Sequence, residues 1–189
     1  MTLGLAAATD RVVALAVDAL PTVGPRVAVA IDGRSGAGKT TLGRAVAAAT
    51  RGFLLSMEDI YPGWDGLAEA SRRIVTDVLQ PLSAGEQPSI RRWDWGSGAA
   101  RDRWPLLVPG HAPLVIEGVG SSPLAARPYL AVRVWLDGDP VTRRRRALAR
   151  DGETYAPHWQ RWAVQEEAYL AAERPDVGAD VVITALDGP

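Results

Sequence analysis

The 189-residue chain carries 21 basic and 22 acidic residues, a formal net charge of −1, and a composition that is 47% hydrophobic and 23% charged. That balance suits one well-buried core rather than a disordered chain, and so small a net charge gives no global field for nucleic acid or an anionic membrane. The sequence has neither cysteine nor asparagine, which excludes disulfides, thiolate zinc sites, thiol catalysis and N-glycosylation.

In chain order, the first 26 residues lack a basic leader, and Asp10, Arg11 and Asp18 interrupt their apolar run. Val12, Leu15, Ala16, Ala19 and Leu20 recur at helical spacing, which predicts an amphipathic helix and not a targeting segment. No run reaches transmembrane length, so the expected compartment is the cytoplasm. Residues 26–31 (RVAVAI) predict a buried strand that runs into a glycine-rich loop, followed by a helix over 40–50. Residues 52–56 predict a second strand, closed by the acidic pair Glu58–Asp59, and 66–82 an amphipathic helix stopped near Pro81. The Gly-, Ser-, Arg- and Trp-rich stretch 84–111 is the least regular part.

Beyond it, 112–119 and 130–137 read as strands apolar enough to be buried on both faces. Asp139 and Pro140 open a helix over 139–150 as N-cap and first residue, 158–173 is helical, and 179–184 is the last strand. Alternating helices and strands predict a layered α/β fold with a mainly parallel sheet. No linker divides the chain, so a single domain over 1–189 is expected.

The glycine-rich loop has the pattern G-x-x-x-x-G-K-T: Gly33, Arg34, Ser35, Gly36, Ala37, Gly38, Lys39 and Thr40, with Thr41 following. This is the Walker A, or P-loop, pattern. Glycines let the backbone wrap an anion with its N–H groups, the helix behind adds its positive end, and the Thr40 hydroxyl can reach Mg²⁺. Lys39 is the chain's one lysine among 21 basic residues. A compact ammonium fits inside a tight phosphate loop where arginine's broad fork does not. A guanine-recognition motif would need a second lysine, and the signatures of ABC and motor ATPases are absent. What remains is a small-molecule kinase, with a carboxylate beside the loop to activate an acceptor hydroxyl.

IDGRSGAGKTT, LLSMEDIYPGWDGL, RRWDW, LVIEGV, VWLDGDPVTRRRRALARD and ERPDVGADVVI follow one another in the order of the uridine kinase group, which includes phosphoribulokinase and bacterial pantothenate kinase. The chain resembles that group, most closely its short bacterial uridine kinase-like members. The resemblance implies a three-layer fold around five parallel strands in the order 2-3-1-4-5. It also implies ATP and Mg²⁺ as cofactors and phosphoryl transfer to a hydroxyl of a small metabolite, foremost a nucleoside.

Aligned on Tyr61, the group's catalytic-base position holds Glu58, with Asp59 next to it; either can be the base. Glu117 falls at the group's magnesium-holding position, alongside Thr40. Tyr61, Trp93 and Asp94 fall in substrate-facing segments, and Asp65 is a candidate hydroxyl ligand. The group's base-contacting histidine has no counterpart in GSGAAR, which leaves the nucleobase open. Arg143, Arg146 and Arg150 share one helix face within a lid-like segment of about 143–158. The resemblance gives Arg146 and Arg150 the task of supporting charge on the transferred group.

Arg91, Arg92, Arg101 and Arg103 could instead serve a phosphorylated acceptor, and a nucleotide-binding module without transfer activity is the reading of a different class. Trp159, Trp162, Glu166 and Tyr169 form a helix face that reads as packing, His111 and His158 as surface residues, and Asp32 as a shaper of the loop. The expected partner is a small-molecule phosphoryl acceptor, with no nucleic acid or membrane; a homo-oligomer is compatible with the sequence.

Overall fold

A computed structural model describes residues 1–187. Its first elements are strand β1 (Thr2–Gly4) and helix α1 (Leu5–Asp18), followed by β2 (Ala28–Gly33), α2 (Lys39–Thr50) and β3 (Phe53–Ser56). A 3-10 turn (Met57–Asp59) leads to α3 (Leu67–Arg73), a π-helical segment (Ile74–Leu79) and α4 (Gln80–Ser83), which run on as one helical rod. Strands β4 (Ser89–Asp94), β5 (Ala99–Pro105), β6 (Leu114–Glu117) and β7 (Val132–Leu136) precede α5 (Pro140–Tyr155), α6 (Trp159–Glu173), β8 (Val181–Ile183) and β9 (Ala185–Asp187).

The central sheet is parallel, in the order β3-β6-β2-β7-β8. Counting these five strands alone along the chain, the order is 2-3-1-4-5. Side chains of a strand alternate between faces, and here both faces are covered. Ala28, Ala30, Leu114 and Ile116 pack with the α3 rod, Trp162 and Tyr169. Val29, Ile31, Val115 and Val134 pack with Ala8 and Val12 of α1 and Leu42 and Val46 of α2. Each fully buried large side chain, such as Ile31 or Leu42, contributes about 1.5–3 kcal/mol of transfer free energy.

Register puts the site at one end of this sheet. Ile31 and Ser56 both pair with Glu117, so the loops leaving β2, β3 and β6 open side by side. The carboxyl ends of parallel strands are where open α/β sheets place ligands.

Several local expectations change. Helix α1 ends at Asp18, because Pro21 holds the chain before it extended; Ala19 and Leu20 lie outside, and Leu20 is exposed. Pro81 does not stop the rod: the preceding π turn lets the Gln80 N–H reach back five residues to Val75 O, and the helix continues to Ser83. The stretch 84–111 contains an antiparallel hairpin, β4–β5, with an irregular register between Arg91 and Trp93. β1 and β9 form a separate parallel pair in which Leu3 meets Leu186. Three-residue strands leave no periodicity to read, and this pair joins residues more than 180 positions apart. Asp139 caps α5 as expected, accepting the Thr142 N–H at 2.7 Å. Among the described residues, no helix is long and apolar enough to cross a membrane.

Candidate active site

The loop after β2 is held from every side. Asp32, fully buried, accepts hydrogen bonds from Gly33 N (2.7 Å), Gly120 N (3.1 Å), Ser122 N (3.0 Å), Ser122 Oγ (2.9 Å) and Tyr169 Oη (2.7 Å). Burial pushes its carboxyl pKa up, against the pull of these donors. The loop's shaping by Asp32 is therefore seen directly, and the same carboxylate also ties down the segment after β6.

Gly36 has φ +79°, and a Cβ there would lie 2.0 Å from the Arg143 carbonyl oxygen; only glycine fits. Arg143 is 4% exposed and donates from Nε to Gly138 O (3.1 Å) and from Nη1 to Ser35 O (3.3 Å). It braces the loop instead of joining Arg146 and Arg150 in the cleft. Arg34 turns away from the cleft to Glu166 (3.2 Å) and Glu167 (2.6 Å), Ala37 is buried, and Gly38 lies over Leu186.

Lys39 spans the loop, its Nζ donating to Arg34 O at 2.9 Å. Burial lowers its pKa from the usual lysine value, and the fields of Glu166, Glu117 and Asp32 oppose that fall. Glu117, 2% exposed at the end of β6, accepts from Thr40 Oγ1 (3.1 Å) and Ser56 Oγ (2.7 Å). Two hydroxyls around one buried carboxylate form a set of hard oxygen donors, and Mg²⁺ characteristically takes one or two such protein ligands and fills its octahedron with phosphate and water. Thr40 and Glu117 thus fit the metal. No cluster of three or more His, Cys, Asp or Glu side chains able to hold a metal ion occurs among the described residues.

Two hollows meet at this loop. The smaller, about 360 Å³, is bounded by Gly36, Gly38, Lys39, Thr40, Thr41, Arg44, Arg146, Ala147 and residues of the seam. The other, about 400 Å³, is walled by Tyr61, Trp64, Trp95, Tyr155 and Trp162, with Ser35, Glu117, Gly118, Val119 and Thr154. Gly36, Lys39, Thr40, Glu58, Arg150 and Asp151 line both.

Glu58 sits on this seam because the chain leaves β3 through a 3-10 turn, with Ser56 Oγ accepting the Glu58 N–H at 3.3 Å. The turn also separates Glu58 from Asp59, which faces the hairpin and pairs with Arg92 at 3.5 Å. Crowding by the cleft walls raises the Glu58 pKa above the usual glutamate value, while Arg150, 3.7 Å away, pulls it down. Arg150 is held by Asp151 through two contacts of 2.7 and 2.6 Å. Tyr61, buried, donates its hydroxyl to Val119 O at 2.8 Å and sets its ring edgewise against Trp162.

Three candidate substrate residues do not reach the cleft. Asp65 is paired with Arg161 on the surface. Trp93 packs over Gly63, where a Cβ would meet its ring at 3.1 Å. Asp94 closes the hairpin turn, accepting from Gly96 N, Ser97 N and Arg101, which hold its pKa down to about 2. Trp95, in the turn just beyond the end of β4 at Asp94, lines the cavity, edge-on to Trp64.

Glu166 was legible only as part of a packed face, yet it accepts from Ser35 N at 2.8 Å and from Arg34. His158 stacks on Trp64 with ring centroids 4.3 Å apart. No sequence signal marks either contact, since both join residues about 95 or more positions apart.

If Glu58 removes a proton from an acceptor, Glu58→Gln should lower transfer about 10²–10⁴-fold, and Asp59→Asn should leave it within a few-fold. On that same condition, a raised Glu58 pKa would place the acid limb of kcat/KM above the usual glutamate value, with activity falling as pH drops through that limb and protonates Glu58. A pH–rate profile of the three proteins checks both statements.

No family model matches the chain, and no curated protein does. Many solved structures share its fold, two of which follow. One, described as a possible uridine kinase from Bacillus stearothermophilus, is 21% identical and superimposes with a TM-score of 0.66 over 95% of this chain and 98% of its own. The other, described as a putative fructose transport system kinase from Silicibacter sp. TM1040, is 18% identical, with a TM-score of 0.63 and the same coverage.

Proposed function

We propose that the protein is an ATP- and Mg²⁺-dependent phosphotransferase that moves the γ-phosphoryl group to a hydroxyl of a small, uncharged, planar metabolite, foremost a nucleoside. One observation carries the reading. The Glu58 carboxylate stands on the seam between a hollow edged by the Lys39–Thr40 loop and a cavity walled by aromatic rings. A base at that junction lies between donor and acceptor, where in-line transfer needs it.

The chain's own groups divide the work. The loop amides and Lys39 hold the outer phosphates, Arg146 and Arg150 offset charge on the group in transfer, and Glu58 accepts the hydroxyl proton. Thr40 and Glu117 would hold Mg²⁺, whose chemistry is to neutralise charge on the phosphate oxygens. The walls of the 400 Å³ cavity favour a flat ring by stacking, and on this reading its cations, Lys39 and Arg150, are committed to the phosphates of the nucleotide. A phosphorylated acceptor is disfavoured for the same reason. Of the four arginines that could have received it, Arg92, Arg101 and Arg103 pair with Asp59, Asp94 and Asp77 on the hairpin side, while Arg91 is exposed on β4 and has no salt bridge among the described residues.

The test is calorimetry with MgATP, followed by an ATP-consumption screen over nucleosides, sugars and cofactor precursors. A heterocyclic alcohol should be the substrate, and Trp95→Ala should raise its KM about tenfold, the value of one stacking contact, with Trp93→Phe near wild type. ATP consumption indifferent to every hydroxyl compound would reject the proposal.

A further inference from the structure

Ser35 of the phosphate loop and Trp64 of the aromatic wall both line the 400 Å³ cavity, and two separate bridges join these two residues. The first runs through α6. Glu166 accepts the Ser35 N–H at 2.8 Å, while its neighbour Gln165 donates Nε2 to Trp64 O at 2.7 Å and accepts the Leu67 N–H at 3.3 Å. The second runs through Tyr155 at the end of α5. Its hydroxyl donates to Ser35 Oγ at 3.0 Å, and its ring lies parallel to Trp64, centroids 5.5 Å apart and planes 10° off.

Backbone and side chain of Ser35 are thus each held by one bridge, and backbone and ring of Trp64 likewise. Glu166 is 1% exposed and Tyr155 5%, so neither contact is a loose surface pairing. Gly152, just before Tyr155, has φ +55° and ψ −135° and breaks the α5 helix there, so that Tyr155 is aimed independently of the helix bearing Arg146 and Arg150.

We infer that Tyr155, Gln165 and Glu166 are positioning residues that couple the phosphate loop to the acceptor wall, so that filling the loop with nucleotide fixes Trp64. The inference rests on the proposed nucleotide site but not on the acceptor's identity. A loop residue that moves to receive phosphates moves both bridges, because each ends on Ser35. By reciprocity, a ligand against Trp64 changes nucleotide affinity by the same factor. Packed side chains held at both ends, by hydrogen bonds in the first bridge and by a hydrogen bond and a stacked ring in the second, transmit such shifts where a single flexible contact would not.

The test uses the full chain grown with 5-fluorotryptophan, its Trp64 ¹⁹F resonance assigned with Trp64→Phe, and MgADP as the probe. In the unaltered protein the Trp64 resonance should shift with the midpoint that calorimetry gives for MgADP. In Tyr155→Phe/Gln165→Ala, MgADP should bind within about threefold of normal, because neither side chain supplies a loop amide, and the Trp64 shift should be lost. Should that double variant fail to fold by circular dichroism, Tyr155→Phe alone keeps the ring packing and should lose about half the shift.

A Trp64 resonance that does not respond while MgADP binds overturns the inference, as does a full response in the variant used. Failure of MgADP to bind the unaltered protein would instead reject the nucleotide site itself.

Discussion

Lys39→Ala is expected to weaken MgATP binding by about 10–100-fold, the loss of a charge-assisted contact in a water-poor loop, and to lower transfer by at least about 10²-fold. The side chain already lies across the loop, bonded to the Arg34 carbonyl, so its ammonium is placed before any phosphate arrives. Burial disfavours its charge, and the carboxylates of Glu166, Glu117 and Asp32 nearby help to keep it. Removing it leaves those acids without that balancing charge where a triphosphate must enter. Lys39→Arg should not restore function, because the planar guanidinium needs more room than the buried position gives. Calorimetric titration with MgATP of both variants decides the matter; binding close to normal in Lys39→Ala would contradict the phosphate-site assignment.

Asp32→Ala is expected to cost about 3–5 kcal/mol of folding stability, since five buried donors lose one acceptor together. For a chain of this size that corresponds to a fall in Tm of about 10 °C. Asp32→Asn should fall between the two proteins. Oδ1 receives Gly33 N and Gly120 N, and Oδ2 receives Ser122 N, Ser122 Oγ and Tyr169 Oη. An amide keeps one oxygen and turns an NH₂ toward the other group of donors. Tyr169→Phe should cost only about 1 kcal/mol, the net worth of one such bond. Thermal unfolding of the three variants orders them, and an Asp32→Ala protein as stable as the unaltered chain would refute the account.

What could be read in advance was whatever the chain encodes locally. The β-branched run before Gly33, the glycines and Lys39 of the loop, the Asp139-Pro140 helix start and the apolar strands around Val115 and Val134 each state their own conformation. So the layered sheet and the phosphate-loop end of the cleft were legible. The acceptor end was not. Glu58 and Asp59 are adjacent and chemically alike, and only the 3-10 turn after Ser56 sends one to the seam and the other to Arg92. Trp93 and Trp95 are two positions apart and would share one face of a continuing strand, but β4 ends at Asp94, so Trp93 packs on Gly63 while Trp95, in the turn, lies in the cavity. Arg143 fits the spacing of its two neighbours, yet its proximity to the loop makes it a brace. Glu166 and Tyr169 share the packed helix face, but that they end on Ser35 and Asp32 is tertiary information that no local pattern carries.

The β1–β9 pair bears on the order in which this molecule becomes competent. Leu186 lies beneath Gly38, 3.1 Å from where a Cβ would project, and its strand is registered against Leu3. Leu136 comes to 4.0 Å of the same point, so the floor beneath Gly38 is made from residues 136 and 186, while the loop itself is encoded at 33–40. A chain emerging from the ribosome displays the complete motif long before it owns the support beneath it. Such distant contacts form late, because a long loop must close before they stabilise anything. On the proposed function, competence for nucleotide would therefore arrive with β9 and not with the motif.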